Sequence, residues 1–152
     1  MIVINNKQEN LIDTLRDRFK EEDINVQIPP PVFEMMKGEV VDFSRTQGFL
    51  EVKFPILQIY LNPFGNVQGG IIAAAIDNTF GPLSMLVAPP NYSRQFEIKY
   101  KKPIGSDLEY FIVIANFIER SKRRLYFKAK VLNSSGVELA AAKSIHWILE
   151  SK

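Results

Sequence analysis

The sequence predicts an α+β fold in which one antiparallel sheet packs on a central helix. An apolar run at 69–88 opens on Gly69-Gly70 and stops at Pro89-Pro90, and its Gly, Ala and Ile content implies close packing. Two strand-like runs precede it and four follow. In several of these, apolar and polar residues alternate, as they do when one face of a sheet is buried.

Residues 7–22 place Leu11, Ile12, Leu15 and Phe19 on one face of a helix, with Asn6 and Glu9 spaced as a capping box. Pro29-Pro30-Pro31 then predicts an extended arm carrying Phe33, Met35 and Met36, packed on the core or over a pocket. Runs 39–45 and 49–58 flank Thr46-Gln47-Gly48 as a hairpin, with Leu50, Val52, Phe54 and Ile56 sharing a face. After the helix come strands at 93–102, 108–119, 123–132 and 137–149, the last set off by Asn133-Ser134-Ser135-Gly136. Phe96, Ile98 and Tyr100 alternate in the first of these, and Leu125, Phe127, Ala129 and Val131 in the third. One domain is expected, with residues 1–36 as a helical and Pro-rich extension packed on a 37–152 body.

At 152 residues and 46% hydrophobic content, such a domain builds a core without disulfides or metals. A net charge of +2 is too small for a dedicated nucleic-acid binder. The absence of cysteine removes disulfides, thiolate catalysis and Cys-based metal sites, and the single His146 leaves no multi-histidine metal site. His146, on a strand face with Ala140, Ala142 and Ser144, is read as structural, and Trp147 on the other face as a packing residue. The opening Met1–Asn10 lacks a basic segment followed by a long apolar run, and no later stretch reads as a membrane span. A cytoplasmic protein that binds neither membrane nor nucleic acid is expected.

The candidate chemistry lies in Asn62-Pro-Phe-Gly-Asn-Val-Gln-Gly-Gly and the following helix with its one carboxylate, Asp77. Gly69 and Gly70 permit close approach of a ligand. The unpaired N–H groups of the first helical turn suit a carbonyl oxygen or oxyanion. Asp77 lies seven and four residues after Gly70 and Ala73, so small residues share its face and leave room above it. This reads as a buried acid beside an open helix N-terminus.

Asn62, Gln68-Gly69-Gly70 and Asp77 stand at the spacing of a known motif: Asn, six residues later His-Gly-Gly, then Asp or Glu. Ser93, Tyr100 and Pro103 match a second element, a Ser or Thr opening the next strand, seven residues before an aromatic and ten before a proline. Ser121-Lys122-Arg123-Arg124 matches a third, a basic turn between the next two long strands. In these respects the chain, from about Glu39 to Leu149, resembles the hotdog-fold acyl-CoA thioesterases of the phenylacetate-pathway (PaaI-like) group.

The resemblance implies a hotdog thioesterase domain over 37–152 that hydrolyses an acyl-CoA to free acid and CoA. Asp77 would be nucleophile or general base, and the Gly69 N–H the oxyanion donor. Asn62, Gln68 and Ser93 would position the thioester and water, and Gly70 would keep the approach open. Lys122, Arg123 and Arg124 would meet the phosphates of coenzyme A. It also implies no cofactor beyond the coenzyme A of the substrate, no metal, and a homodimer or homotetramer with the site between subunits. Gln68 replaces the family histidine. An amide substitutes where a hydrogen bond suffices but not where a proton must move, so a weakly active or non-catalytic acyl-CoA-binding protein is the alternative. Phe33, Met35, Met36 and Phe80 are the expected acyl-pocket residues.

Overall fold

The computed structural model describes residues 5–150; residues 151–152 and residues 1–4, the first part of the opening segment expected to hold no leader, lie outside the described residues. Helix α1 spans Asn6–Glu21 and α2 Pro31–Met35. Strands β1 (Glu39–Ser44) and β2 (Phe49–Pro55) precede the central helix α3 (Gly69–Val87). Strands β3 (Asn91–Tyr100), β4 (Tyr110–Ser121), β5 (Arg124–Leu132) and β6 (Glu138–Ile148) follow. They form one six-stranded sheet in the order β1-β2-β4-β5-β6-β3. Every neighbouring pair is antiparallel.

The register sets the core. Leu125, Phe127, Ala129 and Val131 of β5 are buried on the face toward α3, as are Val113 and Ala115 of β4 beside them. Helix α3 returns Ile72, Ile76, Phe80 and Leu83, spaced at three or four residues so that one stripe faces the sheet. Phe80 is the centre of this layer, with ring centroids 6.1 Å from Phe96 and 5.9 Å from Phe127.

Two local expectations change. Asn5, rather than Asn6, caps α1: its Oδ1 accepts from the Gln8 N–H at 2.8 Å, because Asn5 is the residue with extended backbone. The Pro-rich arm is not wholly extended. Pro31 opens α2, where a missing N–H costs the helix nothing because first-turn donors are unpaired anyway. Strand β2 also ends at Pro55, before a 3-10 turn at Gln58–Tyr60.

Helix α3 is 19 residues long with mean hydropathy 1.4 in its most apolar window, long and apolar enough to cross a membrane, which the sequence reading did not recognise. In the fold it is the core helix laid on the sheet. Its C-terminal carbonyls are answered by α1: Arg18 donates from Nε to Met85 O at 3.0 Å and from Nη2 to Ala88 O at 3.1 Å. The extension is therefore fastened to the helix that carries the candidate acid.

Candidate functional site

The turn before α3 is built by its own side chain. Asn62 Oδ1 accepts from the N–H groups of Phe64 (2.9 Å) and Asn66 (3.1 Å), so this oxygen is committed to the turn and only the amide Nδ2 faces outward duties. The Gln68 N–H donates to Tyr60 O, and the Gln68 carbonyl accepts from Ile71 and Ile72. Among the described residues, the Gly69 and Gly70 N–H groups have no acceptor, which leaves the helix N-terminus open. The Gln68 side chain is exposed and makes no hydrogen bond there.

Gly69 is fixed by its neighbour across the sheet edge. Tyr100 donates its hydroxyl proton to Gly69 O at 2.7 Å, and a Cβ on Gly69 would lie 3.1 Å from the Tyr100 ring. Burial raises the Tyr100 pKa, which keeps the phenol a donor. Gly70 has open space where a side chain would be.

Asp77 lies eight residues along α3, about 12 Å from Gly69 at 1.5 Å per residue. It is not buried, as the sequence reading had it, and does not adjoin its own helix N-terminus: its side chain reaches solvent at the rim of a cavity. Desolvation by the surrounding protein nevertheless raises its carboxyl above the ordinary carboxylate range. The cavity, about 470 Å³, is lined by Asp77, Asn78, Gly81, Pro82 and Met85 of α3, by Asn91–Ser93 of β3, and by Val26–Ile28 and Pro30 of the arm. Gly81, one turn after Asp77, leaves the helix surface bare. Pro82 has no N–H for the Asn78 carbonyl, which opens this turn of helix.

The structure thus brings Asp77, at the middle of α3, and Ser93 to one cavity, without a hydrogen bond between them, and leaves Asn62, Gln68, Gly69 and Gly70 at the N-terminal end of that helix. Lys122, Arg123 and Arg124 lie on the β4–β5 turn, at the same end of the sheet as Ser93. Arg123 is already engaged by Ile148 O and Glu150, and Arg124 sits over the Trp147 ring at 5.3 Å. Lys122 holds the turn with a φ of 56°. Phe33, Met36 and Phe80 belong to the core and Met35 is exposed; none lines the Asp77 cavity.

His146 lies buried on the β6 face it shares with Ala140, Ala142 and Ser144, as expected, but it also reaches the Asp77 cavity, which the sequence did not reveal. It stands opposite Ser93 in the β3–β6 pair and lines the Asp77 cavity. Asn91 Nδ2 donates to Pro89 O, which turns Asn91 Oδ1 to His146 Nδ1 at 2.9 Å. Nδ1 therefore carries the proton, and the buried Nε2 has no partner among the described residues. Burial lowers the His146 pKa to about 4.

Because the unfolded chain takes up this proton near pH 6.5 and the folded chain resists it, the stability His146 contributes is full above pH 6.5. It is lost as pH falls toward 4. A loss of about 2 to 3 kcal/mol from this one group is expected between pH 7 and pH 4. Urea unfolding at both pH values checks it: the pH dependence should shrink by that amount in His146→Leu, and an unchanged dependence refutes it.

No family model matches the chain, and no curated protein matches it. Solved structures do. A candidate thioesterase and phenylacetic acid degradation-related protein from Ralstonia eutropha JMP134 has a TM-score of 0.73 at 18% identity, covering 87% of this chain and 98% of that one. The E. coli PaaI protein from the phenylacetic acid degradation operon has 0.76 at 11%, covering 93% and 98%. The smu.793 protein of Streptococcus mutans UA159, bound to acetyl CoA, has 0.72 at 21%, covering 84% and 99%. With the six-stranded antiparallel sheet laid on a long central helix, these likenesses establish that the chain has the hotdog fold of the PaaI-like structures.

Proposed function

We propose that the chain is an acyl-CoA thioesterase that hydrolyses a thioester to a free acid and CoA. The observation that carries the reading is Asp77: a carboxylate with a raised pKa, at the rim of a cavity kept open by Gly81 and shared with Ser93. Such a group is suited to accept a proton from water or to attack a carbonyl carbon. Gly69 N–H, at an unobstructed helix N-terminus, is suited to hold the thioester oxygen as it becomes negative. Tyr100 supports the turn by holding the Gly69 carbonyl.

The roughly 12 Å between Gly69 and Asp77 in one chain is too long for both to touch one carbonyl. We therefore assign the site to two subunits, the Gly69 end of one facing Asp77 of another. Strand β3 supports this: it is terminal in the sheet, its outer edge is unpaired among the described residues, and it passes both Tyr100 at Gly69 and Ser93 at Asp77. In this arrangement Gln68 and the Asn62 amide would donate to the thioester, and Lys122 and Arg124 would meet coenzyme A phosphates. No step needs a metal or redox cofactor.

The test is release of free thiol from short, medium, long and aromatic acyl-CoAs. Turnover with any of them supports the reading. Saturable acyl-CoA binding without turnover favours a non-catalytic binding protein, for which the specific observation is Gln68, a side chain that does not change protonation state near neutral pH.

A further inference from the structure

The outer face of the sheet, opposite α3, gathers cations of which only Arg124, at one end, has a part in the proposed thioesterase chemistry. Register dictates this. On one rung Glu97 of β3 faces Lys143 of β6, which faces Lys128 of β5; on the next, Lys99 faces Ala141, which faces Lys130. Ala141 is a hollow between two lysines. These residues and Lys101 line a groove of about 630 Å³ that contains five lysines and one carboxylate, Glu97.

Lys101 is paired with Glu138. Among the described residues, Lys99, Lys128, Lys130 and Lys143 have no carboxylate within ion-pair distance. Like charges directly opposite on neighbouring strands destabilise a sheet. The fold nonetheless sets Lys128 against Lys143. Beyond them the strip runs past Glu119, a second carboxylate, through Tyr126 and Ile145 to Arg124 and Arg94 at Trp147. From Arg124 to Lys130 it extends about 20 Å along β5.

We propose that this face docks an acidic helix of a carrier protein, one that presents its acyl group as a thioester on a phosphopantetheine arm. The choice of a thioester carrier rests on the thioesterase reading; the acidic helix rests on the surface itself. A strip of about 20 Å matches a helix of about 13 residues. Free lysines in a row, interrupted by half-buried Tyr126 and Ile145, suit carboxylates on an amphipathic helix. A second copy of the same face would set lysines against lysines. Nucleic acid would want a free aromatic face for bases, whereas the Trp147 ring lies under the guanidinium groups of Arg94 at 4.5 Å, Arg124 and Arg123.

The experiment measures anisotropy of a fluorescently labelled holo-acyl carrier protein, carrying no acyl group, titrated with the intact protein. Saturable binding is expected. It should weaken by about tenfold or more in Lys128→Glu/Lys143→Glu, and by a similar factor between about 50 and 300 mM salt. Lys99→Glu/Lys130→Glu provides a second variant should the first fail to fold. KM for an acyl-CoA should be unchanged in both. Absence of saturable binding, or binding indifferent to both charge reversals, overturns the proposal. So does a labelled single-stranded RNA that binds this face in the carrier's place. Because binding is read without turnover, carrier binding in a protein that hydrolyses no thioester would retain the docking surface and reject the catalytic reading.

Discussion

Asp77→Asn is expected to lower kcat for thioester hydrolysis by about three orders of magnitude, the range lost when a general base or its equivalent is removed. The substitution keeps the size and hydrogen-bonding shape of the side chain and removes only the charge and the proton affinity. KM should therefore move little, since the groups proposed to hold coenzyme A lie elsewhere. The chain has no cysteine, so thiol release is read without background from the protein.

The raised pKa of Asp77 adds a second signature. Only the ionised carboxylate is competent, and raising its pKa lowers the ionised fraction at a given pH, so the acid limb of the wild-type rate profile should lie above the value of 3.8 for an ordinary aspartate. A single turnover in ¹⁸O-labelled water tests the nucleophilic role. Label in the Asp77 carboxylate identifies a nucleophile whose anhydride is opened at the Asp77 carbon, whereas label only in the released acid fits a general base or an anhydride opened at the acyl carbon. A variant that retains wild-type kcat would remove Asp77 from the mechanism.

Phe80→Ala should cost about 3 to 5 kcal/mol of folding stability, the cost of emptying a well-packed aromatic site. Phe80 is fully buried, and the partners that would line the void, Phe96, Phe127 and His146, come from three strands that close on α3 from one side. Strands cannot collapse into such a gap without breaking their ladders, so little of the loss is recovered by relaxation. For a chain of this length the melting temperature should fall by about 10 °C or more. Phe80→Leu, which retains most of the volume, should cost much less. Equal losses for Ala and Leu would show that the site is not packed as described.

The strands were legible because burial on one face forces a period of two: Leu125, Phe127, Ala129 and Val131 report the inside of the sheet directly. Helix α3 was legible from Gly69-Gly70 and Pro89-Pro90 at its ends. Helix α2 was not, because Pro31 reads equally as the start of a helix or the continuation of an extended arm, and the choice is made by Phe33 and Met36 reaching the core. Around Asp77, Gly81 carried a usable signal, a residue without a side chain one turn on and on the same face. His146 carried none. Its role depends on Asn91, brought to it by the pairing of β3 with β6, and no local pattern reveals which strands will be neighbours. The lysine face was hidden for the same reason, since Lys99, Lys128 and Lys143 are scattered in sequence and meet only through register.

The place of β3 in the sheet has a consequence for biosynthesis. Among the described residues its sole strand partner is β6, with Asn91 paired to Ile148, so the segment that follows α3 in the chain waits for β6 to be translated. Until then the nascent chain holds α3, a helix apolar enough to pass for a membrane segment, with much of its sheet uncompleted. The wall of the Asp77 cavity that holds Ser93 and His146 is assembled last. A ribosome that stops before β6 releases a chain with no such cavity and with apolar surface ready for a chaperone or an aggregate.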